Sequence, residues 1–420
     1  MVLFALKHAS AQSIRLACIQ ILIVATSMLP FVFRAPPLHA DTDVYHEPHW
    51  SDQFRHLLSQ AQRPVKVISP CAGLNAPERA AREMQMPWQS LGDYEINEDL
   101  ATTLERLSQD KSSLHVGRVR GDVLQVSIDS LSLEADGLIS GPPCPPFSTI
   151  GKRLIDLDCR SAVFLTICAW IIHLASKGSL SFFVLENVIG ILKRKKGEPE
   201  SFAVWFVREI LHQLPGGWDV SVVQHNSCLC MLPQSRPRCF FVGTSAAMRA
   251  TAFQRRVLQA PLPEMPRVDI LDFLDKTSCD ADWDALSIRQ QMNLLQHLDE
   301  FKSTGSPSSV GVIDVARDPN KTIDSTVSHG CTRTLRTNCS HLWLVPGEEL
   351  KAVFGERGRK VNRHEKCRFA GLVPSSCADL TDAQLEKAVG HHPSFSCRSG
   401  SFSSVQGLVP CRQTSCRFAC

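Results

Sequence analysis

The sequence predicts an α/β fold built on a parallel sheet, and three observations predict it. From about Arg63, short apolar runs alternate with longer segments of helical period, the order expected of βαβ units. The apolar runs end in turn sequences, Ser69-Pro70-Cys71-Ala72-Gly73 after the first and a proline-rich turn after Gly137–Ser140. The chain has 420 residues, 44% of them apolar, which is enough to bury a large core and form more than one domain.

Val65–Ile68 reads as the first strand and Pro77–Met84 as the start of the following helix. Leu91–Glu95 is the second strand and Asp99–Leu107 its helix, and Gly137–Ser140 is a buried strand. Ser161–Ser176 is the longest apolar helix, with the strand Ser181–Leu185 after it. Ser201–Leu214 is a further helix, and Asp219–Gln224 and Cys239–Val242 are further strands. After about Ala250 the rhythm fades: Pro261–Pro266 and Ser303–Ser309 read as loops and Ser287–Phe301 as one amphipathic helix. Regular structure returns around Thr334–Val345.

A net charge of +3 does not mark the chain as a nucleic-acid binder, so local clustering has to carry that argument. Seventeen cysteines invite a zinc or disulfide reading, but no CxxC pair occurs and Cys228-x-Cys230 lacks a second half. The cysteines read as free thiols in a reducing compartment, and no metal is expected. Near the N-terminus, Lys7 and Arg15 precede or open the apolar run Leu16–Phe33, which is followed by Pro36-Pro37-Leu38-His39-Ala40. Gln20, Thr26, Ser27 and Pro30 interrupt that run and argue against a membrane anchor. Residues 1–46 are set aside as a targeting leader or an upstream extension with no fold of its own.

The most informative stretch is Gly141-Pro142-Pro143-Cys144-Pro145-Pro146-Phe147-Ser148. It follows a buried strand, so Cys144 sits on a loop at the carboxyl edge of a sheet, where open α/β sheets place ligands. The flanking prolines restrict the backbone and hold the thiol in place, as a nucleophile requires. An ordinary cysteine in a proline-rich loop explains the same residues about as well. Glu186-Asn187-Val188 ends the strand after it, again at the carboxyl edge, where a helix-start carboxylate is the commoner reading. Gln234-Ser235-Arg236-Pro237-Arg238 precedes Cys239–Val242, and alternation puts Arg236 and Arg238 on one side. Alone, this would be a charged strand edge.

Together, in this order and at intervals of 42 and 50 residues, the three segments resemble the diagnostic motifs of the cytosine-5 DNA methyltransferases. That resemblance implies a Rossmann-like methyltransferase core with a small irregular target-recognition module inserted. It also implies methyl transfer from S-adenosylmethionine to carbon 5 of cytosine, with Cys144, Glu186, Arg236 and Arg238 catalytic and no metal. Ser69-Pro70-Cys71-Ala72-Gly73-Leu74-Asn75 resembles the family's first motif, with Cys71 in place of an aromatic residue and Asn75 and Ala76 in place of glycines. Glu95 matches the acidic residue that holds the cofactor's ribose, and Asp122, before Val123, the one that binds its adenine. Cys71, Ala72, Gly73, Glu95, Asp122, Val123 and Pro142 are therefore the expected cofactor contacts. Asp158-Cys159-Arg160 resembles the segment after the mobile catalytic loop, here Ser148 through Arg153, and Thr334-Leu335-Arg336-Thr337 the return from target recognition.

Leu380–Gly390 resembles the family's last helix, with His391 where the final motif has asparagine. From His391 to Cys420 there is no Asp, Glu, Lys, Ile or Asn, and the segment is expected to be disordered. Both ends of the cofactor pocket are thus expected to be weakened. The expected domains are a leader (1–46), a catalytic core (47–245), a target-recognition region (246–333), a return segment (334–390) and an atypical tail (391–420). The expected partner is DNA; Lys152-Arg153, Lys193-Arg194-Lys195-Lys196 and the stretch Lys351–Arg368 are candidate phosphate contacts, each read more often as a solvated face, and Lys193–Lys196 reads equally as a nuclear localisation signal. A tRNA substrate and a catalytically impaired nucleic-acid-binding relative are the alternatives. A monomer is expected, in the nucleus, or in an organelle if the leader is a targeting segment.

Overall fold

The computed structural model describes residues 64–83, 87–108, 121–144, 160–194, 197–229, 232–246, 268–277, 281–304, 306–318, 320, 328–335, 341–372 and 374–391. The leader, the loop Ser148–Arg153, Asp158, Lys195-Lys196, Pro261–Pro266, Arg336-Thr337 and the tail beyond His391 lie outside the described residues.

The expected α/β core is present. β1 (Val65–Pro70), α1 (Ala76–Glu83), β2 (Trp88–Tyr94), α2 (Glu98–Ser108), β3 (Gly137–Ser140), α3 (Arg160–Ser176), β4 (Phe182–Val188), α4 (Phe202–Glu209) and β5 (Trp218–Asn226) alternate as the periodicity indicates. β6 (Gln234–Ser235) and β7 (Pro237–Ser245) follow without a helix of α type among the described residues. The six-stranded sheet runs β2-β1-β3-β4-β7-β5. β1, β3 and β4 are buried along almost their whole length, as strands covered on both faces must be. α3 is apolar on nearly every side and packs Phe164, Ile167, Trp170, Ile171 and Leu174 into the core beside Phe183 and Phe241. Backbone and ring approach closely at Gly137, where a Cβ would overlap the buried Phe182 ring.

One strand departs from the expected parallel arrangement. β7 runs antiparallel to both β4 and β5. The physical reason lies in the connection: β5 and β7 are joined by residues 227–236, too few for the crossover that parallel neighbours need. The helix expected over Ser201–Leu214 stops at Glu209 and gives way to a tighter turn at Leu211–Gln213 ahead of Pro215-Gly216-Gly217.

After Ala250 the helix expected over Ser287–Phe301 is present, and strands not expected there accompany it. α5 (Ala281–Asp284) and α6 (Ile288–Thr304) precede β8 (Val310–Asp314), β9 (Ser328–His329) and β10 (Thr332–Arg333). β11 (Leu342–Pro346), α7 (Lys351–Phe354), β12 (Arg359–Lys360), α8 (Arg363–Phe369) and α9 (Asp382–His391) complete the described chain. A second, four-stranded sheet has the order β12-β11-β8-β9, with every pairing antiparallel. β8 pairs with β11 from Val310 opposite Pro346 to Asp314 opposite Leu342, so the segments read as target-recognising and returning share this sheet. α6 covers it through Leu294 and Phe301 against Ile313, Val315, Trp343 and Val345. A separate apolar cluster joins this half to the core, packing Leu74 and Leu100 with Val310, Leu344, Phe354, Leu385 and Val389. No helix among the described residues is long and apolar enough to cross a membrane.

Candidate active site

Cys144 lies just past β3, partly buried, two residues after the buried Pro142. The Ser140 hydroxyl donates to the Pro70 carbonyl at 2.6 Å, which fastens the end of β3 to the end of β1. Two loops thereby leave the sheet side by side. Glu186 lies within β4 opposite Phe240 of β7, two residues before the strand ends, where the sequence reading had the strand stop at Leu185. Arg238 stands opposite Val188 of β4 and His225 of β5, and Arg236 occupies the joint between β6 and β7.

The structure brings Cys144, Glu186, Arg236 and Arg238 together. Glu186, Arg236 and Arg238 are 8%, 3% and 8% exposed. Arg238 Nε is 2.7 Å from Glu186 Oε1, an ion pair by distance that lacks the alignment of a hydrogen bond. Arg238 Nη1 donates to the Pro237 carbonyl at 2.8 Å. Burial pushes the Cys144 thiol above its ordinary value and the Glu186 carboxylate adds to the rise, while Arg238 and Arg236 pull it down. The arginines thus favour the thiolate, but burial and Glu186 outweigh them. The sign gives a direct expectation for chemical reactivity, because only the thiolate is alkylated. Glu186→Gln removes a charge that raises the thiol, so the pH profile of Cys144 alkylation by iodoacetamide moves to lower pH. Arg238→Met moves it to higher pH. Peptide-level mass spectrometry across pH 6–10 reads both shifts, and movement in the opposite senses would show that the charges are not arranged around this thiol.

A second cluster forms at the ends of β1 and β2. Cys71, Gly73 and Asn75 adopt φ of +56°, +58° and +45°, which coils the turn before α1. The Glu95 carboxylate accepts from the Gly73 N–H and the Asn97 N–H, both at 2.8 Å, and Ala72 N–H donates to the Tyr94 carbonyl at 3.0 Å. Burial raises the Glu95 carboxyl above its ordinary value against these backbone hydrogen bonds. Asp122 Oδ1 accepts from Leu124 N–H at 2.9 Å, and Val123 behind it is buried. Cys71 is driven up by burial and then by Glu95 and Asp122, so all three groups face one region.

Asn75, which stands where the family's first motif has a glycine, keeps the turn coiled and starts the helix. Asparagine tolerates positive φ, and here it also starts the helix. Its Oδ1 accepts from Glu78 N–H at 3.4 Å and its Nδ2 donates to Glu78 Oε2 at 2.8 Å, a reciprocal arrangement at the first turn of α1. The side chain supplies the helix start that a glycine there would lack.

Most of the stretch Lys351–Arg368, read from sequence as either a phosphate contact or a solvated face, is instead committed within the protein. Arg359 is paired with Glu365, Lys366 with Glu386 and Arg368 with Asp275, and Lys351 sits between Glu348 and Glu356. The alternation of charge signs along this stretch, with Glu356 and Glu365 among the basic residues, is the signal that sequence reading passed over. Lys193 and Arg194 are exposed.

The chain matches the model of the family described as C-5 cytosine-specific DNA methylase over residues 65–366. Among curated proteins it is similar to the type II methyltransferase M.DdeI of Desulfomicrobium norvegicum, 36% identical over 112 residues that cover 26% of this chain and 25% of that protein. It is also similar to the type II methyltransferase M.NgoPII of Neisseria gonorrhoeae, 30% identical over 182 residues, 43% of this chain and 48% of that protein. The chain spans half or less of the length of these curated relatives. Among solved structures, the S. pombe Dnmt2 methyltransferase shares the fold at a TM-score of 0.51 and 16% identity, covering 79% of this chain and 95% of that one. A Spodoptera frugiperda DNMT2 mutant does so at 0.52 and 14%, covering 79% and 96%.

Proposed function

Since the chain belongs to the C-5 cytosine-specific DNA methylase family, we propose that it transfers a methyl group from S-adenosylmethionine to carbon 5 of cytosine in DNA. The observation that carries this reading is the convergence of Cys144, Glu186 and Arg238 from three strands of one sheet.

The Cys144 thiolate attacks carbon 6 of the ring and makes carbon 5 nucleophilic. Glu186 in its protonated form donates to the ring nitrogen at position 3, stabilising the charge that develops there. Arg238 anchors the base carbonyl. A neutral or proton-sharing Glu186 also ceases to raise the Cys144 thiol, so binding the base favours the thiolate. Once carbon 5 carries the transferred methyl group, loss of its proton to a solvent base, departure of Cys144 as thiolate and return of the nitrogen 3 proton to Glu186 restore the ring. A stacked base is out of reach of these groups, so the cytosine is flipped out of the duplex.

The cluster at the ends of β1 and β2 fits S-adenosylmethionine in its chemistry. Glu95 and Asp122 present carboxylate acceptors to hydroxyl and amino donors, and no atom stands within 4 Å of a Cβ built on Gly73. When bound, the cofactor supplies an electrophilic methyl group. Cys71, Ala72 and Gly73 would line its approach, Glu95 would hold the ribose, and Asp122 with Val123 the adenine, with Pro142 on the catalytic side. Weakened binding is expected at the α9 end, where His391 replaces asparagine, rather than at the β1 turn. Asp122→Ala is expected to lower cofactor affinity by about 1.5–3 kcal/mol, one to two decades, in calorimetry on the full chain. His391→Asn is expected to raise it. Unchanged affinity in Asp122→Ala would place the adenine elsewhere.

The function is tested by incubating the full chain with methyl-labelled S-adenosylmethionine and, separately, duplex DNA and tRNA. Label recovered as 5-methylcytosine in DNA supports the reading, label in tRNA alone would move the substrate to RNA, and label in neither would favour a silent relative.

A further inference from the structure

We propose that Arg236 is a positioning residue that couples docking of the C-terminal helix α9 to the charge around Cys144, through the carbonyl of Gly390. The inference deepens the reading of Cys144 as the nucleophile and rests on it. Arg236 Nη1 and Nη2 both donate to the Gly390 carbonyl at 3.3 Å, and Nη1 also reaches the Leu335 carbonyl at 3.5 Å. These acceptors lie 154 and 99 residues further along the chain.

The physical need for such a contact is plain. Arg236 is almost fully buried beside a second guanidinium, and the nearby carboxylate of Glu186 is held by Arg238. Burial, and then Arg238, depress its own basicity to about 9. A cation so placed needs negative potential from another source. The last carbonyls of a helix have no partner further along the helix and form the negative end of its dipole. α9 directs that end at Arg236. The helix is itself anchored: Glu386 pairs with Lys366 of α8 at 2.7 Å, and Leu385, Ala388 and Val389 are packed in the apolar cluster that contains Leu100 of α2. The groups that bear on Cys144 are Glu186 from β4, Arg238 from β7 and Arg236 from the β6–β7 joint, and Arg236 alone among the three is held by the end of the chain's last described helix.

The test is alkylation of Cys144 in the full chain without DNA or cofactor, followed by peptide-level mass spectrometry over a range of pH. It reads the charge around the thiol whether or not the chain transfers methyl groups, so its failure is distinct from failure of the proposed function. Arg236→Met is expected to slow alkylation about three- to tenfold at neutral pH and move the profile upward. Gly390→Pro distorts the last turn of α9 without touching Arg236, and is expected to shift the profile in the same sense. The double variant is expected to shift no further than the larger single one, since both changes break one coupling. Arg236→Lys keeps a cation but not the fork that reaches both carbonyls. It serves as the fold-preserving comparison, with a smaller upward shift expected. An unchanged profile in Gly390→Pro or in Arg236→Lys, or additive shifts in the double variant, would overturn the coupling.

Discussion

Cys144→Ser is expected to abolish methyl transfer, lowering the rate on the order of 10⁴-fold or more, while thermal unfolding stays where it is in the unaltered chain. The expectation follows from the chemistry of the site. A serine hydroxyl does not ionise near neutral pH, and in the proposed mechanism Glu186 and Arg238 act on a ring already attacked at carbon 6. The Cys144 side chain is partly buried past the end of β3 and outside the core clusters, so the substitution leaves no cavity in the core. DNA containing 5-fluorocytosine provides the companion measurement. Fluorine at carbon 5 cannot leave as a proton does, so the adduct persists and its peptide is identified by mass. Adduct formation through another cysteine, or equal yield in the serine variant, would remove Cys144 from the mechanism.

The largest effect on stability is expected at Glu365→Ala, a loss of about 3–5 kcal/mol in denaturant unfolding. Glu365 is fully buried at the start of α8. Its carboxylate accepts from Arg359 at 2.5 and 2.9 Å, from Asp275 N–H at 2.9 Å and from Asn362 N–H at 2.9 Å, while the Asn362 side chain accepts from Glu365 N–H at 3.0 Å. Arg359 adds bonds to the Thr277 and Asp275 carbonyls at 2.7 and 2.6 Å. Removing the carboxylate strands a buried guanidinium and two backbone N–H groups at once. Replacing the pair together, as Arg359→Met with Glu365→Leu, is expected to cost much less, because no uncompensated charge remains. Equal losses for the single and double variants would mean that packing rather than charge holds this corner.

The core elements were legible in the sequence for a local reason. Val65–Pro70, Gly137–Ser140 and Phe182–Val188 are short apolar runs between turn residues, and α3 is a long apolar helix, so each declares itself within its own window. The residues proposed for chemistry stood out because they sit at the ends of those elements: Cys144 after β3, Glu95 after β2, Arg236 in the joint before β7 and Arg238 at its start. β8 was not legible. Gly311 breaks the apolar run of Val310–Asp314, and the loop residues Ser303–Ser309 before it carry no strand signal. The reversed β7 was readable in principle from the missing crossover between Asn226 and Pro237.

Sequence by itself therefore determined the fold class, the family and the residue types offered for catalysis, because periodicity and short motifs are properties of neighbouring residues. Tertiary structure alone decided how those residues are charged and held. It set Glu186 against Arg238 and left the Cys144 thiol raised rather than lowered. It let Asn75 replace a glycine by capping α1, neutralised most of Lys351–Arg368 internally, and brought Gly390 to Arg236 across 154 residues. Each of these depends on burial and on long-range electrostatic contact, and neither quantity exists until the chain has folded.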